Sequence, residues 1–251
     1  SNNLPNNNTN KIILSKFDLS GNLLNTFFIG YSSLFTTLFS NFKILNDTAY
    51  IVYSVGDQSS SNIYNRMVYS KYNMATSQIM FSDTIGASLG YITYPFIEID
   101  SLAKNTFITF QTLNQYAIPT TDSLLDTLGV SNSIYYRYNN NNQLIYSSYI
   151  PINRSNLIFY NNKLYIFSAS NNYGTHFLCI DALNDTILYE NTIQGGNIPV
   201  DITNTVFDKQ NKTINVSYKN KNSGLNQIII YDTLLNILNT IDLGYTSTAN
   251  N

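Results

Sequence analysis

The sharpest catalytic pattern in the chain is Gly86-Ala87-Ser88-Leu89-Gly90, a literal G-x-S-x-G. Asp122 or Asp126 and then His176 follow it, in the Ser…Asp…His order of one class of acyl-transfer enzymes. Such a serine becomes a nucleophile only where a strand feeds a strained turn into a helix, exposing Oγ beside an oxyanion hole. Tyr91–Asp100 comes next instead, rich in aromatic and β-branched residues and interrupted by Pro95. That is strand composition, so Ser88 reads as part of a connecting loop.

Metal chemistry is no better supported. His176 and Cys179 are the only residues of their types, and both fall on one expected strand. A separation of three puts them on opposite faces, where they cannot share an ion. Cys179, inside Phe177-Leu178-Cys179-Ile180, reads as core, and His176, at the strand start, as a surface or loop-edge residue. Asp18, Asp181 and Asp232 recur with Asn73 and Asn139 in equivalent places. No D-x-D-x-D-G spacing accompanies them, and asparagine lacks the charge that calcium requires. They read as turn formers, and neither a metal nor a cofactor is expected.

The elements that must position these residues are repeats. Phe17–Gly30 (FDLSGNLLNTFFIG) returns without a gap as Tyr231–Gly244 (YDTLLNILNTIDLG). Looser copies are Met67–Gly86, Ile134–Pro151 and Phe177–Gly195, spaced by 55, 66, 42 and 51 residues at the Asp/Asn position. Internal repeats decide a fold before any other signal. Each copy is an apolar run, Asp or Asn, a polar turn, a second apolar run and a breaker, which is a β-hairpin pattern.

Two shorter strands precede each hairpin after the first. They are Ser40–Leu45 with Ala49–Val55, Phe96–Asp100 with Thr106–Gln111, Leu157–Tyr160 with Lys163–Phe167, and Asp201–Phe207 with Thr213–Tyr218. Runs such as Ile12-Ile13-Leu14 are apolar throughout, as expected of strands covered on both faces. One helix is expected, Ser123–Leu128, with Asp122 as N-cap and Gly129 as stop. With almost no helix to cover them, sheets must stack on sheets. The expectation is all-β, a β-propeller of about five blades of four antiparallel strands. Either the first blade is an incomplete, two-stranded one, or the chain is a segment of a larger protein. Residues 1–10 read as a polar N-terminal segment, 11–244 as the propeller and 245–251 as a tail or continuation.

Lys16-Phe17-Asp18-Leu19-Ser20-Gly21-Asn22-Leu23-Leu24, closing at Gly30, resembles the K-[FL]-D-x-S-G-N-x-L…G signature of SBBP-type β-propeller repeats. The other hairpins depart from it: only Gly21 keeps the turn glycine, and the family's tryptophans are absent. The resemblance implies a propeller of a bacterial or archaeal secreted or surface protein, used as a scaffold or binding platform.

In antiparallel blades alternate connections fall on the same edge. Gly56–Asn65, Leu113–Ser131, Ser170–Thr175 and Lys219–Leu225 therefore share a face with the blade-to-blade loops Gly86–Tyr94, Asn153–Asn156 and Gln194–Pro199. The opposite edge receives only tight turns. Long loops carry function more often than short ones, and Leu113–Ser131, at 19 residues, is the longest. The candidate binding residues on this face are Asp57, Tyr64, Arg66, Tyr116, Asp122, Asp126, Tyr173 and His176. Tyr64, Tyr116 and Tyr173 suit stacking on sugar rings.

Composition narrows the partners. The charged fraction is 11%, less than half the usual ~25%. In its place stand 39 Asn, 26 Ser and 24 Thr, a balance that leans toward an extracellular or cell-surface protein. Net charge is −2 and the 13 basic residues form no run, so no nucleic-acid partner is expected. No apolar stretch approaches the ~20 residues of a spanning helix, so membrane insertion is not expected. One cysteine excludes an intrachain disulfide. The opening SNNLPNNNTN has neither the charged nor the apolar region of a signal peptide. The resulting expectation is a non-catalytic binding or structural module, no enzyme. Its partner would be a protein or glycan at a cell or particle surface, beside flanking domains of the same polypeptide. A lectin-like carbohydrate-binding propeller and a propeller hydrolase or lyase are the alternatives.

Overall fold

The structure, a computed structural model, describes residues 12–29, 35–57, 65–85, 92–112, 133–150, 155–170, 174–193, 200–220 and 223–245. All eighteen elements in them are strands. A leading hairpin pairs β1 (Ile12–Phe17) with β2 (Leu23–Ile29). Four four-stranded sheets follow. The first holds β3 (Phe35–Leu45), β4 (Thr48–Asp57), β5 (Asn65–Asn73) and β6 (Gln78–Ile85), and the second β7 (Ile92–Ile99), β8 (Thr106–Thr112), β9 (Ser133–Tyr138) and β10 (Leu144–Ile150). The third holds β11 (Ser155–Tyr160), β12 (Lys163–Ser170), β13 (Gly174–Asp181) and β14 (Thr186–Ile193). The last is β15 (Val200–Asp208), β16 (Thr213–Asn220), β17 (Leu225–Tyr231) and β18 (Ile237–Tyr245). Within each sheet, strands neighbour one another in chain order. The fold is an all-β propeller, and each four-stranded sheet is a blade.

The recurring Asp/Asn residues do what short polar side chains do best in turns. Asp18 Oδ1 accepts the backbone N–H of Ser20 at 2.9 Å and of Asn22 at 2.8 Å, while Asn22 Nδ2 donates to Oδ2 at 2.9 Å. Asp232 repeats the arrangement with Leu234, Asn236 and the Asn236 side chain at 2.8, 2.9 and 2.8 Å. Asn139 accepts from Asn141 and Gln143 in the same way. Each turn then needs one residue at positive φ. Gly21 (+85°) fills that place without strain, but Asn142 (63°), Asp185 (55°) and Leu235 (66°) fill it in other hairpins. The downstream repeat positions also agree: Thr26 N–H donates to Asn25 Oδ1 and Thr240 N–H to Asn239 Oδ1, both at 2.8 Å.

Several strands outrun their sequence signals. β3 starts at Phe35 instead of Ser40, and β7 at Ile92 instead of Phe96. Ladder hydrogen bonds need backbone and not apolar side chains, so pairing extends through Thr, Ser and Asn. The both-faces reading of Ile12-Ile13-Leu14 is corrected. Leu14 is buried but Ile13 is 55% exposed, because the leading hairpin has one covered face among the described residues.

Contacts divide the chain into two compact units, residues 1–97 with 108–120, and 98–107 with 121–251. In the first, Leu14, Phe27 and Ile29 of the hairpin pack with Ala49, Ile51, Tyr53 and Val55 of β4 and with Tyr72 and Met74. In the second, Tyr165, Phe167, Phe177 and Cys179 of the third blade pack against Ile214, Val216, Tyr218, Tyr231 and Leu235 of the last. The Phe177 and Tyr231 rings meet edge to face at 5.0 Å. Burial raises the Cys179 thiol to about 11 despite Lys163, so it is the inert core thiol that its apolar run indicated.

Candidate functional site

Strand order places the first and last turns of every blade at one end and its middle connection at the other. The middle connections are the longer ones in the first two blades (58–64 and 113–132), but 171–173 and 221–224 are no longer than the turns 182–185 and 232–236 of their own blades, so the expected contrast is corrected there. Asp57 ends β4 at that second end, and Arg66, exposed, stands one residue into β5. His176 is the third residue of β13, between Ser168 and Thr192 in the register. Tyr64, Tyr116, Asp122, Asp126 and Tyr173 lie outside the described residues, as do Ser88 and the expected helix Ser123–Leu128. Among the described residues, strand begins at Ile92, two residues after the G-x-S-x-G. No three His, Cys, Asp or Glu residues come together as a metal site among the described residues.

A site that the sequence did not announce lies between the β9–β10 hairpin and the blade β11–β14, within the second compact unit. β9 turns Tyr135 and Arg137 toward the β13–β14 turn, whose last residue, Asp185, is held at φ 55°. Tyr135 Oη donates to Asp185 Oδ1 at 3.0 Å. Arg137 forms an ion pair with Asp185 Oδ2 and donates through Nη1 to the carbonyls of Ala182 and Leu183. Tyr135 is fully buried and Asp185 is 8% exposed. Burial holds the Asp185 carboxyl above its ordinary range, outweighing the Arg137 charge and the hydrogen bonds from Tyr135 and Arg137. Burial and the neighbouring carboxylate likewise raise the Tyr135 phenol well above its ordinary value.

Above this triplet lies a cavity of about 250 Å³, lined by Tyr135, Tyr146, Ser148 and Ile150 on one side and Ile180, Asp185, Thr186 and Ile187 on the other. The register explains the first wall. Tyr135 faces Ser148 and Arg137 faces Tyr146 across the β9–β10 ladder, and cross-strand partners share a face. Thr186 and Ile187 are exposed and Tyr146 is half-buried, so they form the mouth. Phe107 and Phe159, stacked at 5.3 Å, back the Tyr135 ring, which lies 6.4 Å from Phe107.

Part of this was visible in the repeats. Arg137 stands two residues before its turn Asn, where Lys16 and Lys71 stand in the first two copies. Lys71 is also buried, its Nζ lying 5.0 Å from the Tyr50 ring centroid. Lys16, in contrast, is exposed, so the recurring cation did not by itself mark an inward position. Asp185 gave no signal, since nothing in ALNDT tells which turn residue points inward.

No family model matches the sequence, and no curated protein matches it. The SBBP resemblance therefore has no further support beyond the propeller fold. Among solved structures the chain is similar to the Dos1 propeller (TM-score 0.56, 10% identity, 94% of this chain and 54% of that one). It is similar to the apocarotenoid oxygenase of Synechocystis (0.56, 10%, 94% and 56%). It is also similar to a family 117 glycoside hydrolase of Zobellia galactanivorans (0.52, 9%, 95% and 78%). The chain thus spans little more than half the length of the first two. These likenesses carry the fold alone. They overturn the expectation of no enzyme, because an oxygenase and a glycoside hydrolase are built on the architecture for which a non-catalytic binding or structural role is expected.

Proposed function

We propose that the chain is a carbohydrate-directed propeller, binding a glycan on its long-loop face. The observation that carries this reading is the likeness to the glycoside hydrolase, which covers 95% of this chain and 78% of that one. The sequence of the loop face supports it. Tyr64, Tyr116 and Tyr173 offer flat amphipathic rings, and Asp57, Asp122, Asp126, Arg66 and His176 offer polar partners for hydroxyls. A low-charge surface rich in Asn, Ser and Thr fits a secreted or cell-surface setting.

Hydrolysis of that glycan is the second reading, favoured by the same neighbour and by the sequence, which offers Asp57 at the end of β4 and Asp122 and Asp126 in the connection that follows β8. Glycoside hydrolysis needs two carboxyl groups flanking the scissile bond, which Asp57, Asp122 and Asp126 are numerous enough to supply. Affinity electrophoresis of the chain in gels cast with neutral and anionic polysaccharides tests binding, and reducing-end release tests hydrolysis. Retardation by at least one polysaccharide, relieved in a Tyr64→Ala/Tyr116→Ala/Tyr173→Ala variant, is the expected result. Retardation by none overturns the reading.

A further inference from the structure

We propose that the inter-blade cavity is a binding site for a single apolar ring carrying one hydrogen-bond donor, a phenol or an indole, with the donor directed to Asp185. The scaffold does not need a polar group here. At the next blade junction Phe177 and Cys179, four and two residues before their turn Asp as Tyr135 and Arg137 are before Asn139, share an apolar cluster with Leu235, a positive-φ turn residue like Asp185. Replacing that trio by a tyrosine and an ion pair removes two charges from water, which costs more than an apolar join. A cavity remains above them, so the substitution has made a place for something else.

The walls select the occupant. Ile150, Ile180 and Ile187 with the rings of Tyr135 and Tyr146 present apolar surface, and Asp185 is the one charged residue of the lining. An apolar cavity of roughly 150 Å³ accepts benzene. A space of about 250 Å³ therefore accommodates one substituted or fused ring, and it is smaller than the ~300–1,000 Å³ of drug-sized pockets. Asp185 accepts one bond from Tyr135 on Oδ1 and pairs with Arg137 through Oδ2. An ionised carboxylate has about four acceptor sites, so capacity remains for a ligand O–H or N–H. Arg137 already neutralises the carboxylate, so no ligand cation is demanded, and an anion would meet Asp185 head on. A sugar would bury a ring of hydroxyls against isoleucine, which separates this site from the glycan reading.

The test is a ligand-observed NMR titration of the full chain with p-cresol, indole, 4-methylanisole and the tripeptide Gly-Tyr-Gly. Expected is saturable binding of p-cresol and indole, about tenfold tighter than 4-methylanisole, which has the ring without the donor. Ile187→Trp, which fills the mouth without touching the buried pair, should abolish it. The peptide arm separates the sources: binding tighter than p-cresol assigns the ring to a partner polypeptide, and weaker binding assigns it to a free small molecule. Equal affinity for cresol and the anisole, or binding unaffected by Ile187→Trp, overturns the proposal. So does no binding by any of the four.

Discussion

Two consecutive hairpin-to-blade junctions of the second unit draw on corresponding repeat positions and use opposite chemistry. At the junction of the last two blades, Phe177 and Cys179, four and two residues before the turn Asp181, pack with Leu235, the positive-φ residue of the facing turn. At the preceding junction the corresponding residues are Tyr135, Arg137 and Asp185. Leu235 and Asp185 are buried to nearly the same degree, 7% and 8% exposed. The backbone thus delivers a turn residue into each junction, and the residue type decides whether the join becomes core or site. Even the apolar junction must satisfy its hydroxyls: Tyr218 and Tyr231 lie 3.1 Å apart through their oxygens, and Tyr165 donates to the Thr233 carbonyl.

The difference teaches where function can enter a repeat protein. The turn-forming Asp/Asn residues and the ladder are common to all the described blades. The inward positions four and two before the turn, with the positive-φ residue opposite, are free to vary as a set. They must vary together, because a lone charge in the junction is unpaired and buried.

Breaking one member of the polar set should have the largest effect. Arg137→Met leaves Asp185 buried and unpaired, and removing one partner of a buried pair costs about 3–5 kcal/mol. For a chain of this size that lowers Tm by on the order of 10 °C in calorimetry. A change of a degree or two would mean that water reaches the pair and that the junction is not buried in the sense argued. At the apolar junction, Leu235→Ala should cost about 2–3 kcal/mol in lost burial. Leu235→Gly should cost less than the alanine change, since glycine takes φ 66° without a Cβ penalty. The reverse order would show that packing, and not backbone strain, is all that distinguishes the two substitutions.

The equivalence itself is tested by transplanting the apolar trio. Tyr135→Phe, Arg137→Cys and Asp185→Leu together should leave stability within about 1 kcal/mol of the parent, or above it, because apolar replacement of a complete buried pair is often neutral or stabilising. Chemical denaturation measures this. If the triple variant is as weak as Arg137→Met alone, the two junctions do not share a geometry and the comparison fails.

The blades were legible in the sequence because their signals are local. Asp18 and Asn22, or Asp232 and Asn236, close their own hairpins within five residues, so a pattern read along the chain suffices. The same holds for Cys179, announced as core by the apolar run around it. The site was not legible because its residues meet only after blades stack. Tyr135 and Asp185 are 50 positions apart, and their meeting depends on which face of β9 turns toward the following blade. Of the loop-face residues chosen from the sequence, Arg66 is an exposed strand residue and Asp57 and His176 sit on strands. The sequence places only Asp57 of these inside a loop, and it ends β4 because pairing runs further than apolar patterning indicates; Arg66 and His176 stand near strand starts, as expected.

The smallest effect, and the most direct probe of the comparison, is the titration of individual carboxyls. Asp18 and Asp208, at the starts of their turns, are held below the ordinary aspartate value of 3.8 by hydrogen bonds, those of the Asn22 and Asn211 side chains foremost. Asp185 is raised above 3.8, with burial the largest cause. The linkage signs are therefore opposite. The turn carboxyls contribute stability above pH 3.8 that is lost as pH falls through their depressed folded values. The fold holds the Asp185 proton more tightly than the unfolded chain does, so this group's contribution is fully present below 3.8 and is lost as pH rises through its folded value. Carboxyl carbon NMR should show midpoints on opposite sides of 3.8, and Asp185→Asn should remove the acid-side gain while leaving the turn titrations unmoved. An Asp185 midpoint below 3.8 would mean that Arg137 and Tyr135 outweigh desolvation. The polar junction would then stabilise the stack by its own electrostatics, and the argument that it exists for a ligand would lose its physical ground.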